Sequence, residues 1–403
     1  MKTRKLIALL LMLPLVTFCG KDNPTPEPPD DGQEQGGGEG QQDPPAEDDP
    51  FADAAPEVKN GDVILVTNEK VQAFLEDIKY PERDYSETHI RDEKYGPTCP
   101  SINSDKPQEY SIRWTKADAT NDLTLFLKED DGWSREMAIE EGAYYVNITN
   151  LRPNTNYQYE VKHAGGKVVT SGKFATKGLV YQVFFRSNVR NARDLGGWKT
   201  KDGKTVKYRM IYRGGRLQPN TLNSKIGQAN FKAQGILAQL DLRGKDDVLD
   251  APVMDYMEFC APVIEEGYTD MLSKDGLKVK QCFEFVAKCV KENKPVYYHC
   301  SLGRDRTGTL TMLLLGVLGV DEGDISKEYE LTQFAPSGWA TSSGETTKMT
   351  RKVDYKSAAN YIWDNFVGEG ETFARGVEKY LTSKTVGVEK KTIDEFRSLM
   401  LVD

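Results

Sequence analysis

The sequence predicts a chain of several domains: an all-β sandwich followed by an α/β domain with a mostly parallel sheet flanked by helices. Three observations lead there. Between about residues 85 and 176, short β-rich runs (YSIRWT, LTLFLKE, YYVNITNL, NYQYEVKHA, GKVVTSGKFAT) alternate with turn signals at 130–132, 152–155 and 165–166, which is an antiparallel sandwich pattern. After residue 177 strand-like and helix-like stretches alternate, the pattern of strands joined by crossover helices. Residues 20–50 hold no Val, Ile, Leu, Phe, Tyr or Trp, so they bury too little apolar surface to offset ordering entropy.

At the N-terminus, MKTRK is a basic segment and LIALLLMLPLVTF an apolar one. The apolar run is shorter than the ~20 residues of a membrane span and fits a secretory signal over 1–18. Cys19 follows it directly, and this arrangement resembles a bacterial lipoprotein signal. That resemblance implies a lipid on Cys19 and a membrane-tethered chain on the outer membrane, the cell surface or the periplasmic side. A plain secretory signal is the competing reading. Residues 19–56 read as an acidic tether, with ten acidic residues and one lysine within 20–50. Those charges account for the formal net charge of −9. The rest is nearly balanced, which argues against non-specific nucleic-acid binding.

Residues 57–176 combine a lead-in with the sandwich. GDVILVTNEKVQAFLEDIK reads as a short strand and then a helix with an apolar face of Val71, Phe74, Leu75 and Ile78, capped by Thr67 or Asn68. The later part, LRPNTNYQYEV…SGKFATKG, resembles the second half of a fibronectin type III domain, a module that serves as a spacer or docking surface.

Residues 177–403 form the α/β part. KYRMIYRGGRL reads as a strand ending in glycines, LNSKIGQANFKAQG as a helix stopped by Gly235, and ILAQLDLRG as an apolar strand. VKQCFEFVAKCVKENK reads as a helix, PVYYHC as a strand and TGTLTMLLLGVLG as a core helix. Cys282 and Cys289 share one helix face about 10 Å apart along the axis, too far for a disulfide. With Cys260 they read as core residues. With no CxxC and only His89, His163 and His299, no zinc constellation is visible and no cofactor is called for.

The stretch VYYHCSLGRDRTGTLTMLLLGVLG, 296–319, carries the chemistry. A strand delivers Cys300 at its carboxyl end, where open α/β sheets place ligands. Gly303 permits a tight turn, and the loop feeds a helix N-terminus, where backbone N–H groups favour an anion. Arg306 offers a bidentate fork to phosphate oxygens. The same positive field favours a Cys300 thiolate, a nucleophile for phosphorus. Thr307 can donate its hydroxyl to that sulfur, and His299 reads as a residue fixing the loop.

The motif H-C-x-x-G-x-D-R-T-G resembles the phosphate loop of the protein tyrosine phosphatase superfamily, most closely its bacterial branch acting on phosphotyrosine and, in some members, phosphoinositides. The blocks 188–217, 239–247, 328–335 and 376–401 strengthen the resemblance, which spans about 180–403. It implies Cys300 as nucleophile, Arg306 as phosphate clamp, and Ser301, Leu302, Gly303, Arg304 and Thr307 as substrate-binding residues. It implies no metal. It also implies an aspartate that protonates the leaving oxygen and then activates water. Asp241, at a strand end, is the first candidate and Asp305, inside the loop, is another catalytic candidate; Asp246 and Asp247 stand behind them. An ion pair of Asp241 with Arg243 is the competing reading. Arg193-Asp194, in NARDLGG, reads as an ion pair pinning the loop beside Gly196 and Gly197. Arg304 stands where phosphoinositide-preferring members often carry lysine and could grip a second phosphate. The expectation is a cysteine-dependent phosphatase of phosphotyrosine in proteins. The alternatives are a phosphoinositide or inositol-phosphate phosphatase, or a surface lipoprotein whose inactive phosphatase-like domain only binds anions.

Overall fold

The computed structural model describes residues 51–80, 105–119, 121–335 and 352–403. The signal, Cys19, the tether up to residue 50 and His89 lie outside the described residues. Residues 50–403 form a compact unit, within which no described helix is long and apolar enough to cross a membrane.

The first half of this unit is a β module. Its strands are β1 (Val63–Leu65), β2 (Tyr110–Arg113), β3 (Leu123–Glu129), β4 (Ser134–Ala138), β5 (Tyr145–Ile148), β6 (Asn156–His163) and β7 (Val168–Lys177). One sheet has the order β1-β7-β6-β3-β4, and β2 pairs with β5 in a second. Alternation along β3 sends Leu123, Leu125 and Leu127 inward, where they meet Ile112, Ile148, Tyr157, Val161 and Phe174. Strand β4 has no apolar alternation because its buried inward position is Arg135, whose guanidinium donates to Thr149 O at 3.2 Å. Sequence periodicity is blind to such a strand.

The lead-in helix α1 (Glu69–Asp77) is capped by Asn68, whose side chain accepts from the Lys70 N–H. It buries Val71, Phe74 and Leu75 in the core of the α/β domain, not in that of the β module, and Phe74 meets Phe334 edge to face. Residues 57–176 are therefore not one packing unit. Tertiary contacts alone decide which core an amphipathic helix joins.

In the α/β domain, β8 (Arg193–Asp194), β9 (Thr205–Val206), β10 (Ile211–Gly214), α2 (Lys225–Ala233), β11 (Ala238–Asp241), β12 (Glu258–Cys260), α3 (Tyr268–Lys274), α4 (Gly276–Lys291), β13 (Val296–His299), α5 (Asp305–Leu318), α6 (Glu322–Glu330), α7 (Lys352–Phe366), α8 (Phe373–Thr382), α9 (Lys390–Met400) and β14 (Leu401–Val402) follow in order. The central sheet runs β12-β11-β13-β10-β8, parallel except for β8. Alternate residues serve its two faces. Val296 and Tyr298 join the core under α4 and α5, while Tyr297 joins Phe185, Tyr212 and Phe231 on the opposite face. Helix α5 is buried nearly throughout, so it runs through the core and can hold its N-terminus rigidly at the sheet's carboxyl end. Cys282 and Cys289 are buried core thiols, and Cys260 is half-buried.

Two joints tie the β module to this domain. Glu129 pairs with Arg209, whose guanidinium lies 3.6 Å from the Trp133 ring centre. Asn150 accepts Phe184 N–H at 2.7 Å and its carbonyl accepts Tyr181 O–H at 3.0 Å.

Candidate active site

Strand β13 ends at His299, and Cys300 opens the loop that leads into α5. Gly303 adopts φ +71°, and a Cβ there would stand 2.4 Å from the Gly214 carbonyl carbon and oxygen. Only glycine fits that approach, which presses the loop onto the end of β10. Carbonyls on the outer side of the loop are all held. Asn191 Nδ2 donates to Leu302 O and Gly303 O, both at 3.1 Å. Arg213 Nη2 also donates to Gly303 O, and Arg216 N–H donates to Ser301 O at 3.1 Å. With these carbonyls turned outward, the loop amides are free to converge on an anion.

The pins are themselves locked. Glu328 accepts from Arg193 Nε at 3.0 and 2.8 Å and from Arg213 Nη1 at 3.1 Å, and its carbonyl accepts Arg193 Nη2 at 2.8 Å. Arg193 also donates to Asn191 Oδ1. Asp105 Oδ2 accepts the Asn191 N–H at 2.8 Å. Burial and the neighbouring Arg213 charge push the Arg193 pKa down, with Glu328 opposing. Arg193 and Asp194 turn to different partners, and it is Asp194 that holds the turn beside the glycines. Alternate residues of β8 point to opposite faces, so Arg193 reaches Glu328 while Asp194 accepts from the N–H groups of Gly196 at 2.5 Å and Arg209 at 2.6 Å.

Cys300 is 1% exposed. Burial opposes its ionisation, as does Asp305. The Arg306 charge and hydrogen bonding from the Thr307 hydroxyl and N–H outweigh them, and the thiol pKa lies below its ordinary range. The buried Thr307 hydroxyl stands beside the sulfur and is not engaged by any other group. Arg306 is half-buried and donates Nη1 to Ile264 O at 2.8 Å. It borders a cleft of about 370 Å³ that Asp305, Glu265, Glu266, Tyr268 and Ser357 also line.

His299 is buried and neutral. Burial first, with Arg243 and Arg216 adding to it, lowers its pKa to about 4 despite nearby Asp241. Gln239 Nε2 lies 2.9 Å from His299 Nε2 and can only donate, so the proton sits on Nδ1, 3.1 Å from Cys300 O. The ring therefore pins the Cys300 carbonyl.

Two sequence-based assignments need correction. Asp241 is fully buried, not presented to the cleft. Arg243 grips it with Nε at 2.9 Å and Nη2 at 2.8 Å, and the backbone N–H groups of Arg243 and Leu249 each add a bond at 3.1 Å. Burial raises its pKa, but the Arg243 hydrogen bonds and charge and the Leu249 N–H leave it below the usual carboxylate range. Fully buried and with both oxygens taken, Asp241 holds a charge in place and does not reach a leaving oxygen. Arg304 is nearly buried and spends Nε on Asp305 Oδ1 at 2.9 Å; it is not extended toward a second phosphate. Asp305 remains, at the N-terminus of α5 beside Arg306. Asp246 and Asp247 are exposed on the turn after β11. Residues that sequence reasoning passed over are Asn191, Arg213, Glu328 and Tyr268. Asn191, Arg213 and Glu328 stand inside blocks that carry the resemblance, but no local pattern says what they touch.

The chain belongs to the tyrosine phosphatase family: the family's profile matches residues 186–402, which hold the whole site. A protein of Cupriavidus necator named as a tyrosine-protein phosphatase is 26% identical over 165 residues, 35% of this chain and 59% of that protein. A tyrosine-protein phosphatase of Nostoc commune is 31% identical over 80 residues, 20% of this chain and 26% of its own length. A Debaryomyces hansenii protein of similar name is 30% identical over 126 residues, 30% of this chain and 62% of its own length. The chain thus spans less than two thirds of each of these relatives. A solved structure of a mutant form of Tk-PTP aligns at 15% identity over 31% of this chain and 75% of its own, with a TM-score of 0.22.

Proposed function

We propose that this chain is a cysteine-dependent phosphomonoester phosphatase acting on phosphotyrosine in proteins. The observation that carries the reading is the buried Cys300 thiol, shifted toward its charged form by Arg306 and Thr307 inside a loop whose outer carbonyls are tied back. In the first step Cys300 Sγ attacks phosphorus. The Sγ–P bond forms, the P–O bond to the phenol breaks, and Asp305 gives its proton to the leaving oxygen. In the second step water attacks the phosphocysteine. The P–Sγ bond breaks, Asp305 takes the water's proton, and Arg306 holds the phosphoryl oxygens throughout. His299, Gly303 and the Asn191–Arg213 pins keep the loop formed, and Asp241 is a structural anchor.

The N-terminal sequence supports export and tethering through Cys19, and the β module fits a fibronectin type III-like spacer that holds the catalytic domain off a membrane. The test is phosphate release by the full chain from a phosphotyrosine peptide and from phosphoinositides, with a chelator present. Release is expected from the peptide, abolished in Cys300→Ser and indifferent to the chelator. Asp305→Asn is expected to slow it by about 100-fold or more, the usual contribution of a positioned acid. Faster release from phosphoinositides would move the substrate assignment, and release that survives Cys300→Ser would overturn the mechanism. Binding without turnover would favour the anion-binding alternative.

A further inference from the structure

Loop 261–267 lays the start of α3 across the start of α5. Gly267 packs so closely that a Cβ there would stand 3.0 Å from Asp305 Cβ and 3.1 Å from Arg306 N. Tyr268 follows in the left-handed region, φ +54°. Its N–H donates to Thr309 Oγ1 at 2.9 Å, and that hydroxyl donates to Asp305 O at 2.9 Å. The side chain then reaches back along α5. Tyr268 O–H donates to Asp305 Oδ1 at 2.5 Å, and Tyr329 O–H lies 2.7 Å from the same phenol oxygen. Tyr329 is fixed in turn by stacking on Tyr355, with ring centres 4.4 Å apart. Since a carboxylate only accepts, Tyr268 must donate to Asp305, and its own oxygen is left to accept from Tyr329. Burial, with Tyr329 and Asp305 alongside, pushes the Tyr268 phenol far up, so it remains a donor at every working pH.

We propose that Tyr268 is a positioning residue for phosphoryl transfer: with Arg304 it holds Oδ1 of Asp305 and so fixes the rotation of the carboxyl group that serves the leaving oxygen. The inference rests on the assignment of Asp305 as the acid. It adds a rotational lock, which matters because a carboxylic acid free to turn presents its proton in the right direction only part of the time. The chain from Tyr355 through Tyr329 and Tyr268 to Asp305 carries this lock from α7 and α6 into the site.

The test uses the full chain and a series of aryl phosphates running from strongly to weakly acidic phenols. A weakly acidic phenol needs its proton in the transition state, and a strongly acidic one hardly does. Tyr268→Phe is expected to lower kcat/KM by about tenfold on the weakly acidic end and by less than about twofold on the acidic end, a part of the effect of a positioned acid. KM should stay near the parent value. Asp305→Asn should steepen the same dependence further, and Tyr268→Phe added to it should change nothing more. Tyr329→Phe, one hydrogen bond further out, should act in the same sense but more weakly. An equal loss across the whole series for Tyr268→Phe, beside a steep series for Asp305→Asn, would overturn the positioning role alone. A flat series for Asp305→Asn would overturn the acid assignment and this inference with it, while a Cys300→Ser enzyme that still turned over would sink the phosphatase reading itself.

Discussion

Glu328→Gln tests the framework behind the loop. The parent carboxylate is fully buried and is the shared counter-charge of Arg193, at 2.8 Å, and Arg213, at 3.1 Å. The amide keeps the shape and one acceptor but removes the charge, so two guanidinium groups remain in the interior with none. Breaking a buried pair from one side costs about 3–5 kcal/mol, much of it the cost of the stranded partner. At about 2 °C per kcal/mol for a unit of this size, that is a fall of about 6–10 °C in Tm. The consequence reaches the site. Arg213 and Asn191 hold Gly303 O, and Asn191 is held by Arg193, so the loop amides should lose their convergence before the protein unfolds. Thermal unfolding read by circular dichroism gives the stability. Turnover of an aryl phosphate well below the transition gives the function, with a loss in kcat/KM of at least about tenfold for a misplaced anion site. A Tm within about 2 °C of the parent, together with unchanged turnover, would refute the reasoning.

Other outcomes follow from the same geometry. Alkylation of Cys300 by iodoacetamide should rise with a midpoint below the free-thiol value of about 8.5, because Arg306 and Thr307 favour the thiolate. Arg306→Gln should move that midpoint up, while Cys289, pushed by burial to about 12, stays unreactive near neutral pH. Gly303→Ala should cost about 1–2 kcal/mol from the left-handed backbone alone and more from the contact 2.4 Å from Gly214; wild-type turnover in this variant would contradict the tight approach. His299, depressed in the fold to about 4 from 6.5, contributes stability that is complete above the unfolded value and lost as pH falls through the folded one. Urea midpoints should therefore drop between about pH 6.5 and pH 4, and His299→Gln should flatten that drop. Asp241→Asn should lower stability through loss of the Arg243 grip and slow all aryl phosphates alike, since an anchor has no preference among leaving groups.

Legibility followed the range of the interaction. Hydrophobic alternation revealed β3, β6 and β7, and helical periodicity revealed α1, α4 and α5, because those signals repeat within a few residues. It missed β4, whose inward position is Arg135. The strand–Cys–glycine–arginine–helix run at 296–319 disclosed Cys300, Gly303 and Arg306 for the same reason: nucleophile, turn and clamp are neighbours in the chain. For Asp241 the sequence left two readings open, general acid or ion pair with Arg243, because the direction of a side chain is set by tertiary packing; Arg304 was misjudged because its exposure depends on what packs over the loop.

The sequence by itself determined the order of β-rich and α/β segments, the acidic N-terminal stretch and the residues of the phosphate loop, each by local patterns of burial and backbone freedom. Only the tertiary structure decided which groups hold that loop. Arg193 and Glu328 meet across 135 residues and Arg213 and Gly303 across 90, and Tyr268 comes to Asp305 from 37 residues away. Such pairings carry no period in the chain. They exist because parallel strands set separate segments side by side at the carboxyl end of one sheet, where a buried charge must find its partner from whichever segment arrives.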